Sequence, residues 1–186
     1  MPTNHPRNGS TGPDTALPRK FKLDNGVEVT VRAIRPEDAE IEQAFVRSLS
    51  LKSRHLRFFN AVRELSPQML ETFTHPNYPD SWALIATVRN GASEKEIGVA
   101  RYAPSKSASG AEFAVAVADD WQKRGIGTQL MKDLLAVAER AGVPRIEGVV
   151  LRQNKGMLAL AEDLDFVARQ DPDDPAVLIV VKNLDN

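Results

Sequence analysis

The sequence predicts a mixed α/β (α+β) fold, with one central, mostly antiparallel sheet flanked by helices. Three observations carry this. "SWALIATVRNGASEKEIGVARYA" reads as two strands around an Asn90-Gly91 turn, and "AEFAVAVA" follows as a third after the polar loop "PSKSASG". Links this short favour antiparallel neighbours, because a parallel crossover needs a dozen residues or more. Helical periodicity brackets those strands on both sides. The length of 186 residues, with 42% hydrophobic and 26% charged residues, fits one globular domain with a substantial core.

The elements follow in order. Met1 to Arg19 is rich in Pro, Gly, Thr and Asn and lacks periodicity, so a disordered tail is expected over residues 1–20, with the folded domain over 21–186. Asp24-Asn25-Gly26 is a turn signal, after which Val27, Val29 and Val31 alternate with polar residues as in a strand. "RPEDAEIEQAFVRSLS" reads as a helix: Pro36 stands at its start, Glu37 and Asp38 suit the positive N-terminus, and Ile41, Phe45 and Leu49 recur every fourth residue. Leu51 to Thr74 is a second helical region broken near Ser66-Pro67, where Ser66 is placed to cap the latter half. Beyond the three strands, Ile126, Leu130, Leu134, Val137 and Ala141 mark a helix that stops at Gly142-Val143-Pro144. "RIEGVVLRQ" is a strand, "NKGMLALAEDLDF" a helix and "AVLIVVKNL" a final strand, with a short strand near Phe166 to Arg169. The predicted order is β-α-α-β-β-β-α-β-α-β.

Composition excludes several chemistries. Net charge is −1, so no overall basic field gathers nucleic acid or an anionic membrane, and any anion site must be local. There is no cysteine, hence no disulfide, thiolate nucleophile or cysteine–zinc site. His5, His55 and His75 lack metal-ligand spacing, so no metal is expected. No leader-like or membrane-length apolar run is apparent, which leaves a cytoplasmic monomer or homodimer as the expectation.

One stretch stands apart: "DDWQKRGIGTQLMKDLL", Asp119 to Leu135. A helix start exposes N–H groups without partners and carries partial positive charge. Glycines let an anion approach those groups, and Gln122, Lys123 and Arg124 add donors and charge. The physical reading is a phosphate or pyrophosphate cradle. From glycine spacing alone, a simple tight turn reads equally well. A P-loop pattern is missing, and a dinucleotide fingerprint fails because no glycine follows Gly127 before Gly142.

Gln122-Lys123-Arg124-Gly125-Ile126-Gly127 matches Gln/Arg-x-x-Gly-x-Gly/Ala, and on it the chain resembles the GNAT N-acetyltransferases. The likeness spans about Val27 to Leu184, since the element order agrees, and "NKGMLALAEDLDF" is similar to the family's late helix. "SLSLKSRHLRFF" (Ser48 to Phe59) resembles the acetyltransferase domain of protein lysine acetyltransferases linked to ADP-forming acyl-CoA synthetase-like proteins, a domain expected to stand alone here. The resemblance implies that acetyl-CoA is the acyl donor. Gln122, Lys123, Arg124, Gly125, Ile126, Gly127 and Thr128 would hold its pyrophosphate. Val115, Ala116 and Val117 would pair with the pantetheine arm, and the next strand would splay away to admit it. Asn154 matches an asparagine near the pantetheine, and its position equally suits a helix N-cap.

An amine must be neutral to attack a thioester, while a free lysine has a pKa of about 10.4, so a general base is useful. Many members of the family place a glutamate where Glu112 stands. Strand alternation puts Glu112 on one face with Ala114, Ala116 and Ala118, and Phe113, Val115 and Val117 on the other. Glu112 is therefore the favoured general base, acting directly or through water, and an exposed glutamate at a strand start is the alternative. The Val117 N–H is the implied donor to the oxyanion. The tyrosine that protonates the leaving thiolate in many relatives is replaced by Ala161, and Asp165 replaces the usual glycine before Phe166.

Arg54, His55 and Arg57 form a basic cluster beside Phe58 and Phe59; the solvated face of a helix is the preferred reading, and binding an acidic substrate loop or covering the acyl site is the alternative. "HPNYPDSW" (His75 to Trp82) lines the acceptor cleft or merely connects elements, and "DPDDP" (Asp171 to Pro175) reads as a solvated turn. The leading expectation is an N-acetyltransferase moving acetyl from acetyl-CoA to a primary amine, with a protein lysine favoured, by direct attack. A noncatalytic acyl-CoA-binding or regulatory module and a nucleotide-binding protein are the alternatives.

Overall fold

The computed structural model describes residues 13, 16–59, 62–105 and 110–184. Most of the expected tail, His5 included, and the middle of the polar loop lie outside the described residues. Thirteen elements follow one another: β1 (Arg19–Lys22), β2 (Glu28–Ala33), α1 (Ala39–Ser48), α2 (Leu51–Phe58), α3 (Pro67–Thr74), β3 (Trp82–Asn90), β4 (Ser93–Pro104), β5 (Ala111–Val117), α4 (Ile126–Arg140), β6 (Arg145–Leu151), α5 (Lys155–Asp163), β7 (Val167–Gln170) and β8 (Val177–Asn183). Single 3₁₀ turns lead into α1 at Pro36–Asp38 and toward α4 at Asp119–Trp121. No described helix is long and apolar enough to cross a membrane.

The strands form one eight-stranded sheet in the order β1-β2-β3-β4-β5-β6-β8-β7. Every neighbouring pair is antiparallel except β5 and β6. The expected mostly antiparallel sheet is thus present, with one strand more than periodicity gave. β1 takes in Arg19 and Lys20, two residues of the expected tail. At four residues, with one partly buried, it is too short and too exposed to show an alternating pattern. Its anchor is tertiary: Arg19 Nε donates to Asp133 on α4 at 3.0 Å. Ser66 caps α3 as its position predicted, its Oγ accepting from the Met69 N–H at 3.2 Å.

Each face of the sheet carries its own core. One is built by α4 and α5: Ile126, Leu130, Met131 and Leu134 pack on Val29, Leu84, Ile97, Phe113 and Ile146. On the other face α1 and α3 bring Phe45, Val46 and Leu49, with Met69 and Phe73, onto Ala83, Ile85, Val99 and Ala118. Burying one such Leu or Phe side chain contributes roughly 1.5–3 kcal/mol.

The α1 face also buries charge. Glu42 is 1% exposed and accepts from Arg101 Nη2 at 2.7 Å, while Glu96, 2% exposed, has both carboxylate oxygens without a hydrogen-bond partner. Burial, then the negative Glu42 beside it, pushes the Glu96 pKa well above the ordinary range. A carboxyl whose folded pKa lies above its unfolded value near 4.3 contributes stability below that value. It loses that contribution as pH rises toward the folded pKa. Glu96→Gln should therefore gain stability over the native chain progressively between pH 5 and pH 8, as read by urea unfolding at both. A gap that stays constant or narrows would contradict this.

Where β5 meets β6 only two residue pairs form, Ala111 with Ile146 and Glu112 with Glu147. The next position on β6 is Gly148, where an added Cβ would stand 2.5 Å from the Phe113 ring. That ring is itself wedged against Phe166, with centroids 5.2 Å apart. Gly148→Ala should thus cost about 1–3 kcal/mol by overpacking, measurable as a lowered urea midpoint. An unchanged midpoint would mean the ring moves freely aside.

Candidate active site

Beyond those two pairs β5 and β6 part. β6 continues alongside β8, while β5 keeps only β4, in pairs such as Ala100 with Val115 and Gly98 with Val117. The β6-facing edge of β5 past Glu112 therefore has no partner strand among the described residues. The fork opens into a cleft of about 350 Å³. Its walls are Val115, Ala116 and Val117 on β5, Ser53 and Arg57 on α2, the loop before α4, and Asn154, Met157 and Leu160 around α5.

The loop sits at the α4 N-terminus, which begins at Ile126 with Gly125 as N-cap and no side-chain cap. Gly125 has φ of 79°, and Lys123 adopts the same left-handed region at 59°. That conformation is costly for a lysine, by about 1–2 kcal/mol. The first helical N–H groups, of Ile126, Gly127 and Thr128, have no carbonyl one turn back to bond. Gly127 faces the cleft, where a Cβ would meet only Leu160 and Val117 side chains at 3.6 Å. The result is a concave end with N–H donors and helix-dipole charge, fit for an anion.

The residues singled out from sequence are distributed as follows. Gln122, Lys123, Gly125, Gly127 and Thr128 share the cleft with Val115, Ala116, Val117 and Asn154. Ile126 does not: it is 1% exposed and belongs to the core. Arg124 stacks over Trp121, 5.4 Å from the ring centre, and lines a neighbouring hollow of about 560 Å³ with Lys22, Lys123 and Gln129. The Gln122 side chain is engaged within the fold, donating to the Val117 carbonyl at 3.0 Å and to Ser53 Oγ at 3.3 Å. Asn154 Oδ1 accepts from the Met157 N–H at 3.2 Å, so it caps α5 and borders the cleft at once.

Glu112 is exposed on β5, with Ala103 beside it on β4 and Glu147 on β6. It lies outside the 350 Å³ cleft, three residues along β5 from Val115. The two faces of β5 divide as alternation predicted: Phe113, Val115 and Val117 pack on the α4 side, Ala116 and Ala118 on the α1 side. Ala161, which carries no acid, is 2% exposed and part of the core, and Asp165 takes a left-handed φ of 60°, a conformation that favours glycine.

α2 is a wall of the cleft, the less favoured of the two sequence readings of its basic cluster. Ser50 caps that helix, and Asp119 holds it: the carboxylate accepts from the Ser50 N–H at 2.9 Å and from the Ser50 and Ser53 hydroxyls at 2.7 and 2.8 Å. These bonds keep the Asp119 pKa below the ordinary range against the opposing effect of burial. The Ser50–Ser53 spacing reads locally as a cap, and nothing in it announces a partner nearly 70 positions away. Arg57, read as part of a solvated face, instead turns half-buried into the cleft. "DPDDP" is the expected turn, with Asp171 accepting from the Asp173 and Asp174 N–H groups. In the His75 to Trp82 segment Tyr78 and Trp82 pack edge to face.

Comparison with known proteins agrees with this architecture. Residues 52–166 match the model of the acetyltransferase (GNAT) family. The chain is 37% identical to an acetyltransferase of Pseudomonas aeruginosa over 84% of both chains. It is 33% identical to acetyltransferase Pat of Mycolicibacterium smegmatis over 81% of this chain but only 44% of that one, so it spans under half of Pat. Among solved structures, the GNAT domain of S. lividans PAT superposes with a TM-score of 0.79 at 28% identity, covering 89% of this chain and 96% of that domain. With a forked sheet, a glycine-bordered helix start at the fork and these relatives in agreement, the chain belongs to the GNAT family of acetyltransferases, enzymes whose acyl donor is acetyl-CoA.

Proposed function

We propose that the folded domain, from β1 onward, transfers an acetyl group from acetyl-CoA to a primary amine, with a protein lysine as acceptor, in a single ternary complex. The observation that carries this is the fork between β5 and β6 opening onto the bare N-terminus of α4. The residues fit the donor. The N–H groups of Gly127 and Thr128 would face its pyrophosphate, with Lys123 nearby. The free edge of Val115 to Val117 would take the pantetheine amides, and Val115, Val117, Met157 and Leu160 offer apolar walls to the arm.

Glu112 would act as the base, drawing the proton from the amine directly or through water. The absence of cysteine supports direct attack over an acyl-enzyme. The preference for lysine rests on the likeness of Ser48 to Phe59 to protein lysine acetyltransferases. The missing acid at Ala161 favours one second reading, a module that binds acyl-CoA without turning it over.

Calorimetric titration with acetyl-CoA, CoA, ATP and NAD, followed by thiol release in the presence of lysine peptides, tests the proposal. Selective binding of the CoA species with peptide-dependent thiol release is expected. Binding without thiol release would favour the noncatalytic module. A preference for ATP or NAD would overturn both.

A further inference from the structure

α2 packs against β5 and begins beside the donor loop. Its start is held at Ser53, which donates to Asp119 and accepts from Gln122. Arg57 lies one turn further, about 6 Å along the axis and on the same helix face. It shares the cleft with Val115 and Ala116. Its charge is felt by Glu112, Glu42 and Arg101. The guanidinium thus lines the cleft together with the strand proposed for the pantetheine. Among the described residues no carboxylate or carbonyl takes a hydrogen bond from it, and its own contact is with the Phe58 ring, 4.7 Å from the centroid. Arg101, by contrast, is spent on Glu42 and on the Phe73 carbonyl. Burial, then the neighbouring Arg101, lowers the Arg57 pKa to about 10, so it stays cationic near neutrality while lacking a counter-ion in contact.

We propose that Arg57 is a catalytic residue of this site, its guanidinium stabilising the negative charge that forms on the thioester oxygen and then on the departing CoA sulfur. The proposal rests on reading the cleft as the donor site. The amine nitrogen bonds to the thioester carbon, and the C=O π pair moves onto oxygen. That pair returns as the C–S bond breaks, and sulfur leaves with the bonding electrons. The amine proton passes to Glu112 and on to solvent, and the thiolate takes its proton from solvent. Ala161 supplies no acid, so the thiolate departs charged. A cation in a cleft also lined by apolar Met157 and Leu160 is then worth more than the same charge in water.

The test follows the thiol of bound CoA, which needs no acceptor. The ultraviolet absorbance of the thiolate is titrated on the native chain and on Arg57→Ala, Arg57→Gln and Arg57→Lys. In the native complex the thiol should ionise about one to two pH units below its value in the two neutral variants, with Arg57→Lys in between. With acetyl-CoA and a lysine peptide, kcat of the neutral variants should fall about a hundredfold, while calorimetric Kd for acetyl-CoA stays within about threefold. Gln keeps most of the shape of Arg, so agreement between Gln and Ala separates charge from packing, and circular dichroism confirms folding. A thiol that titrates at the same pH with and without the cation would overturn the proposal and leave the donor site standing. A native chain that binds no CoA would overturn the donor site itself.

Discussion

Glu112→Gln should lower turnover by about 10²–10⁴-fold, the usual worth of a positioned base, with acetyl-CoA binding unchanged within about threefold. The substitution is mild structurally. Glu112 is exposed, its side chain makes no hydrogen bond or ion pair among the described residues, and it sits beyond the cleft that would hold the cofactor arm. The loss should therefore appear in kcat and spare both folding and donor affinity. It should also shrink at alkaline pH, where more of a lysine with a pKa of about 10.4 is already neutral. Initial rates across pH, set beside calorimetry of acetyl-CoA, decide the matter. Full activity in the variant would make Glu112 a spectator and move the search for the base to another group.

Gly125→Asp combined with Gly127→Asp should weaken acetyl-CoA binding by at least about a hundredfold, or roughly 2.7 kcal/mol. Gly125 has φ of 79° and open space where a side chain would project, so its carboxylate would stand where the anion is expected. At position 127 the new Cβ meets its neighbours at ordinary distance, so the fold accommodates it. The carboxylate then competes for the helix N–H groups and repels the pyrophosphate. An aspartate in the first turn of a helix favours the helix itself. Affinity and stability should accordingly separate: calorimetry reads the loss, while the thermal midpoint without ligand falls only by the strain at position 125. Native-like affinity in the double variant would mean that the loop is merely a turn.

Much of this was legible locally. The α4 stripe of Ile126, Leu130 and Leu134, the caps at Ser66 and Asn154, and the Asn90-Gly91 turn each act within a few residues, and each is found where the pattern placed it. The glycine loop was legible because the demands of an anion on backbone geometry are local too. What the sequence concealed is long-range. β1 exists through its pairing with β2 and the hold of Arg19 on Asp133, not through a pattern of its own. Arg57 looked solvated because one helical turn of Arg, His and Arg has no apolar stripe to orient it. What turns it inward is the seating of α2 by Asp119, 69 residues from Ser50 and 66 from Ser53.

The two-pair contact between β5 and β6 has a mechanical meaning. It divides the sheet into a five-stranded leaf, with α4 packed on it, and a three-stranded leaf, with α5 packed on it, joined at a single short contact. A ligand lying in the gap would add a second seam, drawing backbone bonds from one leaf and side-chain contact from the other. Donor concentration would then set how firmly the leaves are bound together, and the melting temperature should climb with the logarithm of that concentration once it exceeds Kd.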